Sequence, residues 1–427
     1  MGVIMKWKNW DRNLKVRLIG EFVFNLLFWM FFPFMAMYFS EELGKTVAGL
    51  LLVVSQAISV LFNLVGGYFA DTYGRRKMML FAGWGQVISI VIMTIGTFPN
   101  IENPYIVFIG FSCLGIMSSL YMPASQAMVA DVVEEKNRNS VFAIFYTAVN
   151  ISVVVGPLIG GVMFFTNRFL LMVLATIASI LILIFFQKYI KETLPKHNMT
   201  VKATSTMQFF KMQVRNYKLI FKDGLFFLFI VAGILAAQTY MQMDLLLSVY
   251  IHETVDKVTF SFGQLFSGTI SGDALFSYVI AENGLIVACF TVIVTTIVGR
   301  YKEKWMFVLS ALLYSFSMVV FAHSFGLFGF IIGMAIFTLG EIVVVGIQNG
   351  FVAKIAPEEM RGQYFAAASL RFSIGRTLAP LAIPLTSLFG FQGTFYFVGG
   401  ITIVAAIVYY FMFTLFEKRE NLQKKAA

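Results

Sequence analysis

Residues 66–77 read GGYFADTYGRRK, and they separate two long apolar runs. A short polar segment in this position predicts a tight turn between two membrane-spanning helices. Gly74 can adopt the positive φ angle that reverses the chain, and Asp71 lies at the predicted membrane edge. Cytoplasmic loops carry an excess of lysine and arginine. We therefore expect Arg75 and Lys77 to hold this turn on the cytoplasmic side.

The composition is that of a membrane protein. The chain is 59% hydrophobic and 13% charged, with a mean hydropathy of +0.81, whereas soluble domains carry about 25% charged residues. A helix that crosses a bilayer needs about 20 apolar residues. We predict twelve such spans, at residues 16–39, 46–70, 77–98, 104–130, 141–165, 167–188, 224–250, 278–299, 304–323, 325–351, 363–388 and 391–415.

The net charge of +10 would suit nucleic-acid binding, but the distribution of the charges excludes that function. Of the 32 lysines and arginines, only Lys45, Arg168 and Lys257 lie on the predicted external side, and Arg371 and Arg376 lie inside a predicted helix. All the others lie on one side, which the positive-inside rule identifies as the cytoplasm. Both termini are therefore predicted to be cytoplasmic.

An internal repeat divides the chain into two related halves. A shift of 223 residues places Arg138 over Arg361 and Pro157 over Pro380. Several matches at one nearly constant shift indicate duplication. We therefore predict an all-α membrane protein of twelve transmembrane helices in two pseudo-symmetric six-helix bundles.

The predicted domains are an N-terminal bundle at residues 1–188, a cytoplasmic linker at 189–223 and a C-terminal bundle at 224–427. In the linker, basic residues recur at helical spacing opposite an apolar stripe. This pattern predicts an amphipathic helix on the anionic cytoplasmic leaflet, so membrane lipids are expected partners. The alternative is a joining helix without a regulatory role. The polar segment 252–277 is expected to be an external loop.

Small residues are placed where helices need to pack closely. The fifth predicted span contains Gly156, Pro157, Gly160 and Gly161, and Gly67 precedes the first turn. Pro157 frees a backbone carbonyl and bends its helix, while glycines admit a neighbouring helix. Close packing alone is the alternative explanation for this pattern.

Ionisable residues inside predicted spans are candidate functional groups, because each costs about 2.5–3.5 kcal/mol at the bilayer centre. We single out Glu21, Asp244, Glu341, Arg371 and Arg376. Burial raises the pKa of a carboxyl group and a nearby arginine lowers it. A buried acid beside an arginine can therefore bind and release a proton as its surroundings change. The alternative is a set of fixed ion pairs that hold helices together.

Several motifs resemble those of a known family. The turn at residues 66–77 resembles the signature loop between helices 2 and 3 of the major facilitator superfamily, and residues 156–161 resemble the antiporter motif of its drug–proton exchangers. Together with residues 241–244 (MQMD) and 338–343 (TLGEIV), they resemble the Gram-positive multidrug–proton antiporters of the lactococcal type. The resemblance implies the major facilitator fold, the bacterial cytoplasmic membrane and a substrate site between the halves.

The resemblance also implies residue roles. A cytoplasmic gate would comprise Gly67, Asp71, Gly74, Arg75, Lys77, Asp131 and Arg138, with Asp131 within reach of Arg75. Asp244 and Glu341 would recognise protons or cationic drugs. The sequence departs from the family at Phe145, where relatives carry a carboxylate, and in helix 4, where residues 110–115 contain no arginine. These departures leave fewer candidate proton sites.

Polar or adaptable residues within spans tend to face inward. This tendency gives six candidates for the lining of a substrate cavity, which are Asn25, Tyr146, Asn150, Tyr240, Met241 and Gln348.

We predict a monomeric, proton-coupled secondary transporter that exports small lipophilic drugs, particularly cationic ones, by alternating access. No cofactor is expected besides the proton as coupling ion. Two alternatives stay open: export of an endogenous lipid, peptide or sugar, and a non-transporting membrane receptor on the same fold. An enzyme is not expected, because the spans contain no recognisable nucleophile–base pair or metal-ligand cluster.

Overall fold

The computed structural model describes most of the chain, namely residues 10–194, 223–262, 266–357 and 360–426. The chain divides into two compact units, Met1–Ala203 and Thr204–Ala427. Both units are built mainly from long helices. The amphipathic helix predicted for the linker lies outside the described residues, and the predicted domain borders stay predictions.

The described part of unit 1 contains six helices. They are α1 (Arg12–Phe31), α2 (Met35–Leu43), α3 (Lys45–Tyr73), α4 (Arg75–Gly96), α5 (Pro104–Val132) and α6 (Glu135–Tyr189). Helices are favoured because a segment in lipid must satisfy its backbone hydrogen bonds internally. Polar side chains begin two of them: the Asp11 carboxylate accepts from Asn13 N at 2.7 Å, and Asn103 caps α5.

Identifiable residues interrupt the helices of unit 1. A 3-10 turn, Phe32–Phe34, separates α1 from α2, because Pro33 has no N–H group to continue the helix. Gly44 and Gly74, both with positive φ, separate α2 from α3 and α3 from α4. Helix α6 is 55 residues long and contains one non-helical residue, Asn167, with φ −154° and ψ 72°.

Unit 2 combines helices with one β-hairpin. Its described elements are α7 (Gly224–Tyr240), α8 (Leu246–Thr254), β1 (Lys257–Phe262), β2 (Phe266–Ser271), α9 (Gly272–Val298), α10 (Glu303–Ala322), α11 (Leu327–Ile355), α12 (Arg361–Ala368), α13 (Leu370–Leu378) and α14 (Ala382–Ala426). Two 3-10 turns interrupt the series: Met241–Met243 follows α7, and Ala379–Leu381 follows α13.

Within the described residues, ten helices are long and apolar enough to cross a membrane. Two of these segments, Val141–Tyr189 and Leu370–Arg419, are 49 and 50 residues long, about twice the length that one span needs. Each contains one non-helical residue, Asn167 in the first and Gly390 in the second. If each long segment crosses twice, the total is the predicted twelve. That number stays a prediction.

The segment 252–277, expected to be an external loop, contains regular structure. Strands β1 and β2 pair antiparallel, with Val258 opposite Ile270 and Thr259 opposite Thr269. β-Branched residues suit a pleated, half-buried surface, and Val258 is buried. The hairpin was not predicted, because the polarity of the segment alone suggested a loop.

Aromatic side chains fill much of the core of unit 2. The ring centre of Phe351 lies 5.4 Å from that of Phe229 and 4.6 Å from that of Phe413. These contacts join α7, α11 and α14. Because close-packed rings allow little movement of the helices that carry them, the polar residues on α7 and α11 are held in defined positions.

Candidate functional site

Glu341 lies in the middle of α11 and is contacted by neutral side chains from two other helices. The Asn283 amide of α9 donates to Glu341 Oε2 at 3.1 Å and to Thr338 Oγ1 at 3.0 Å. The Tyr240 hydroxyl, at the end of α7, forms a further hydrogen bond with the carboxylate. Asn283 and Thr338 are buried. The Glu341 carboxylate can therefore bind a proton or a cation without first breaking an ion pair.

Asp244 is electrostatically linked to Glu341. The charges of Arg376, on α13, and of Glu341 both act on the Asp244 carboxylate. Asp244 Oδ1 is buried, and no hydrogen-bond partner for it exists among the described residues. We name as the carboxylate cluster the residues Tyr240, Asp244, Asn283, Thr338, Glu341 and Arg376.

An interruption between α7 and α8 determines the position of Asp244. Met241–Met243 form a 3-10 turn, and Leu245, with φ −112° and ψ −83°, lies outside the helical region. Gln242 anchors the turn by donating to the Ala379 carbonyl at 3.2 Å, while its own Oε1 is buried without a described partner. Interrupted helices present polar groups inside a membrane and serve as ion sites in membrane proteins.

Two glycines allow close contacts between helices beside the carboxylate cluster. A Cβ added at Gly375 would lie 2.7 Å from Ala237 Cβ, so α13 packs directly on α7. At Gly340 an added Cβ would lie 3.2 Å from Ser310 O, and Ser310 Oγ donates to the Gly340 carbonyl at 2.5 Å. Arg376 and Glu341 each follow one of these glycines.

Arg371, the other arginine predicted for the site, lies elsewhere in unit 2. Its guanidinium carbon is 4.2 Å from the centre of the Phe229 ring, and its Nε donates to the Ala368 carbonyl at 2.9 Å. A hydrogen bond to Tyr409 adds to these contacts. A Cβ at Gly233 would collide with the Arg371 side chain. Arg371 therefore packs within the aromatic core and does not join the carboxylate cluster.

Glu21 belongs to unit 1 and is engaged by three donors. Its Oε1 atom accepts from Arg17 Nε at 2.9 Å, Tyr121 Oη at 2.7 Å and Ser125 Oγ at 2.6 Å. The Arg17 guanidinium also lies 4.8 Å from the centre of the Phe145 ring. Phe145 thus packs against the arginine that Glu21 neutralises. Glu21 is thus held in an ion pair with Arg17, whereas the side chains that contact Glu341 are neutral.

Four residues of the predicted cytoplasmic gate, Asp71, Gly74, Arg75 and Asp131, meet at the end of α3. Arg75 Nη1 is 2.5 Å from Asp71 Oδ1, and Arg75 Nε is 3.3 Å from Asp131 Oδ2. Gly74 reverses the chain between α3 and α4 with φ 103°. Arg75 therefore bridges two carboxylates on different helices, α3 and α5. Their role as a gate stays a prediction.

Glu192, which the sequence analysis did not single out, joins this group. Its Oε1 accepts from the backbone N–H of Arg75 at 2.9 Å, and its Oε2 accepts from that of Arg76 at 3.1 Å. These are N–H groups of the first turn of α4, which have no partner within the helix. Thr193 Oγ1 donates to Asp131 Oδ2 at 2.9 Å. The segment after α6 thus holds the turn between α3 and α4.

The remaining gate candidates have separate surroundings. Arg138 Nη2 donates to the Ala130 carbonyl at 2.8 Å and so binds the C-terminal end of α5. Lys77 is exposed on α4. An added Cβ at Gly67 would be 4.0 Å from Pro123 Cβ, so this position does not need a glycine for packing.

The predicted antiporter motif packs α6 against α1. A Cβ at Gly156 would lie 2.6 Å from Trp29 Cβ, and one at Gly160 would collide with the Met30 carbonyl. Pro157 lies between them inside α6, and Gly161 follows. The motif therefore brings α6 close to the end of α1, just before the break at Pro33.

The six candidates for a cavity lining differ in their contacts. Tyr240 belongs to the carboxylate cluster, and Met241 begins the turn after it. The Asn25 amide donates to the Glu21 carbonyl at 2.7 Å, and the Asn150 amide donates to the Tyr146 carbonyl at 2.9 Å. Tyr146 is exposed within unit 1, and Gln348 is half-buried in unit 2.

The sequence analysis missed two neighbouring residues of α9, Glu282 and Asn283. Asn283 binds Glu341, as described above, and Glu282 is a carboxylate within an apolar helix. Glu341 was selected because it is an ionisable residue inside an apolar run, and Glu282 meets the same criterion. No sequence pattern marks Asn283 as a partner of Glu341, since the two residues are 58 positions apart.

Over the ranges that the structure describes, no group of three or more histidine, cysteine, aspartate or glutamate side chains could hold a metal ion. The carboxylate cluster combines carboxylates with hydroxyl and amide groups.

Comparison with known proteins identifies the family. The model of the Major Facilitator Superfamily matches residues 17–380 and 269–427. A Na(+), Li(+), K(+)/H(+) antiporter of Planococcus maritimus is 46% identical over 419 residues, covering 97% of this chain and 99% of that protein. The multi-drug resistance efflux pump PmrA of Streptococcus pneumoniae is 30% identical over 159 residues, covering 36% of this chain and 38% of the pump.

The fold agrees with this assignment. A crystal structure of a POT family transporter in complex with 5-aminolevulinic acid aligns with a TM-score of 0.77 at 18% identity, over 95% of this chain and 96% of that one. An alignment at such low identity shows the fold alone. The chain therefore belongs to the Major Facilitator Superfamily, and it is a multi-pass secondary transporter that needs no cofactor and is not an enzyme.

Proposed function

We propose that this transporter exchanges a monovalent cation, Na⁺, Li⁺ or K⁺, for protons across the bacterial cytoplasmic membrane. The full-length relative that is 46% identical is an antiporter of these ions. This proposal keeps the proton of the predicted drug–proton exchange as the coupling ion. It replaces the lipophilic drug with a metal cation as the exchanged substrate.

The charge of the carboxylate cluster carries the proposal. Asp244 and Glu341 supply two negative charges, and Arg376, which acts on Asp244, supplies one positive charge. When both acids are ionised, the cluster is short of one positive charge. Uncompensated charge inside a membrane is costly. Either one proton or one monovalent cation restores neutrality, and this equivalence is the requirement for exchange.

The donor atoms of the cluster suit a small hard cation. Five side chains near the break between α7 and α8 offer oxygen atoms. They are the carboxylates of Glu341 and Asp244, the hydroxyls of Thr338 and Tyr240, and the buried Oε1 of Gln242 in the adjoining turn. Hard cations prefer oxygen ligands. The Asp244 and Gln242 oxygens lack described partners, so they are available to a cation that has lost part of its hydration shell.

Exchange follows when the cluster faces each side of the membrane in turn. In this family the two halves rock around a central site. We assign the halves to residues 1–188 and 224–427, the linker to 189–223 and both termini to the cytoplasm. A one-for-one exchange of a proton for a monovalent cation moves no net charge, so the pH gradient supplies the energy that expels the cation. The proposed transporter acts as a monomer.

Export of lipophilic cationic drugs is the second candidate function. The efflux pump PmrA resembles part of the chain, and aromatic rings surround the cluster. The Phe337 ring centre lies 6.1 Å from that of Tyr240 and 4.9 Å from that of Tyr314. Aromatic faces attract organic cations. A drug would then use the same carboxylates as the metal ion.

Proton movement in everted membrane vesicles distinguishes the two candidates. The acid interior of the vesicles quenches the fluorescence of a pH-sensitive dye. Recovery of the fluorescence after addition of Na⁺, Li⁺, K⁺ or a lipophilic cation shows that protons have left the vesicles. We expect the metal ions to dissipate the gradient and Glu341→Gln to abolish the response, because the amide cannot exchange a proton. The variant protein should remain folded in the membrane.

Glu303→Gln is the matched control. Glu303 is a carboxylate at the start of α10, outside the cluster, and its Oε2 is 3.4 Å from Lys354 Nζ. It should respond like the wild type. A wild-type response to the lipophilic cation alone would favour drug export, and full metal-ion exchange in Glu341→Gln would remove Glu341 from the mechanism.

A further inference from the structure

Glu282 is a carboxylate within an apolar helix that the exchange at the carboxylate cluster does not use. It lies in α9, one of the described helices that are long and apolar enough to cross a membrane. The residue is half-buried. Its Oε2 atom is buried and has no hydrogen-bond partner within the described residues, and none of the described ion pairs includes it.

This environment is unfavourable for an ionised carboxylate. A buried polar atom without a partner loses its hydration and gains nothing in return, and the loss is larger for a charged group. A carboxyl group in such a place is stable when it carries a proton, and it becomes ionised when water reaches it. Glu282 is therefore suited to carry a proton between two environments.

Glu282 does not belong to the carboxylate cluster, although Asn283 does. Successive residues of a helix point about 100° apart, and Asn283 is the one that faces Glu341. Tyr278 and Leu285, one turn before and after Glu282 on the same side of α9, are exposed. The groups whose charges act on Asp244 and Glu341 do not include Glu282. Its proton is thus bound independently of the cation.

We propose that Glu282 carries a second proton in each transport cycle, separate from the proton that competes with the cation at the carboxylate cluster. This inference rests on the proposed cation–proton exchange. One proton exchanged for one monovalent cation moves no net charge. A further proton on Glu282 moves one net positive charge per cycle, so the membrane potential drives the exchange in addition to the pH gradient.

Transport in proteoliposomes at equal internal and external pH tests the proposal. Purified protein is reconstituted with Li⁺ inside, and a thiocyanate gradient sets the potential, because potassium with valinomycin would supply a transported ion. We expect Li⁺ efflux from wild-type vesicles to respond to the potential. Glu282→Gln should retain Li⁺–proton exchange driven by a pH gradient and lose the response to the potential.

Two further variants separate proton binding from a structural role. Glu282→Asp keeps a carboxyl group and should keep the response to the potential, whereas Glu303→Gln removes a carboxylate at the start of α10 and should behave as the wild type. Equal responses of Glu282→Gln and the wild type would overturn the proposal. Loss of the response in Glu282→Asp and Glu282→Gln alike would assign Glu282 a structural role, which also overturns it.

An infrared measurement decides the outcome if Glu282→Gln does not transport at all. Difference spectra of purified protein between alkaline and acid pH, without any transported cation, show the carbonyl band of each carboxyl group that takes up a proton. A band present in the wild type and in Glu303→Gln, and lost in Glu282→Gln, supports the proposal. An unchanged band overturns it. If wild-type vesicles move no metal ion, the proposed exchange fails, and this measurement still shows whether Glu282 binds a proton.

Discussion

Two half-buried acids in the helices of this transporter, Glu21 and Glu341, differ in the groups that surround them. Glu21 is held by Arg17, whose Nη2 lies 2.8 Å from Glu21 Oε1. Glu341 receives hydrogen bonds from Asn283 and Tyr240, which carry no charge. A proton that binds to Glu21 has to displace an arginine, whereas a proton that binds to Glu341 displaces no charged group. For that reason the proposed exchange is placed at Glu341.

The role of Asn283 is open to a direct test at this scale. Asn283→Ala removes the amide that donates to Glu341 at 3.1 Å. A hydrogen bond to a charged group contributes about 1.5–3 kcal/mol, so the apparent affinity for Na⁺ should fall about tenfold or more. The measurement is the Na⁺ concentration that gives half-maximal proton movement in everted vesicles.

Asn63→Ala is the matched control for that experiment. The Asn63 amide is exposed and donates only weakly, to the Ser119 carbonyl at 3.3 Å. Its loss should leave the Na⁺ affinity unchanged. If Asn283→Ala also shows wild-type affinity, Asn283 does not position Glu341 for cation binding.

At the scale of elements, glycines and one carboxylate determine how neighbouring helices meet. Gly74 ends α3 with a positive φ angle, and Glu192, beyond α6, accepts from the first N–H groups of α4. A negative charge at a helix N-terminus is favourable because of the helix dipole. The turn between α3 and α4 therefore depends on a residue far along the chain.

Gly74→Ala should lower the melting temperature of the purified protein more than Gly44→Ala does. Both glycines have φ angles, 103° and 77°, that other residues rarely adopt, and such strain costs about 1–3 kcal/mol. At Gly44 nothing lies within 4 Å of an added Cβ, whereas at Gly74 the Cβ would be 2.5 Å from Glu192 Oε2. Equal shifts would show that the contact with Glu192 adds nothing to stability.

Gly160→Ala tests the packing of α6 on α1. The added Cβ would collide with the Met30 carbonyl, and overpacking of a close contact typically costs about 1–3 kcal/mol. We expect less folded protein in the membrane and a lower melting temperature. Gly400→Ala is the control, because nothing lies within 4 Å of its Cβ. Equal stability of the two variants would contradict the close approach of α6 to α1.

At the scale of the whole molecule, alternating access requires a contact that favours one conformation over the other. The Asp71–Arg75–Asp131 group is a candidate for this contact. The Asp71 side chain is 71% exposed, and exposed ion pairs contribute only about 0–1 kcal/mol to stability. A contribution of that size scarcely affects unfolding, yet it shifts an equilibrium between two conformations of similar free energy.

Asp71→Asn should therefore shift the populations of the inward- and outward-facing states and leave the melting temperature within about 2–4 °C of the wild-type value. Distances between spin labels on the two halves measure the populations of these states. Glu303→Gln, which removes a carboxylate at the start of α10, serves as control. An unchanged distance distribution in Asp71→Asn would remove Asp71 from the gate.

The sequence correctly predicted the features that depend on neighbouring residues. Apolar runs predicted the helices, and the turn at Gly74 followed from one glycine between two helices. The break between α7 and α8 was not predicted, because residues 241–245 contain neither proline nor glycine and their packing against Ala379 interrupts the helix. The sequence also could not separate Arg371 from Arg376, since both lie in one predicted span.

The amino-acid sequence by itself determined the family, the membrane location and the acids that lie within apolar spans, where a charge is costly. These properties follow from composition, local periodicity and short motifs. Only the tertiary structure decided which arginine faces Asp244, that Asn283 binds Glu341 and that Glu192 caps α4. Glu192 and Arg75 are 117 positions apart, and such contacts depend on how whole helices pack, which no local pattern of residues encodes.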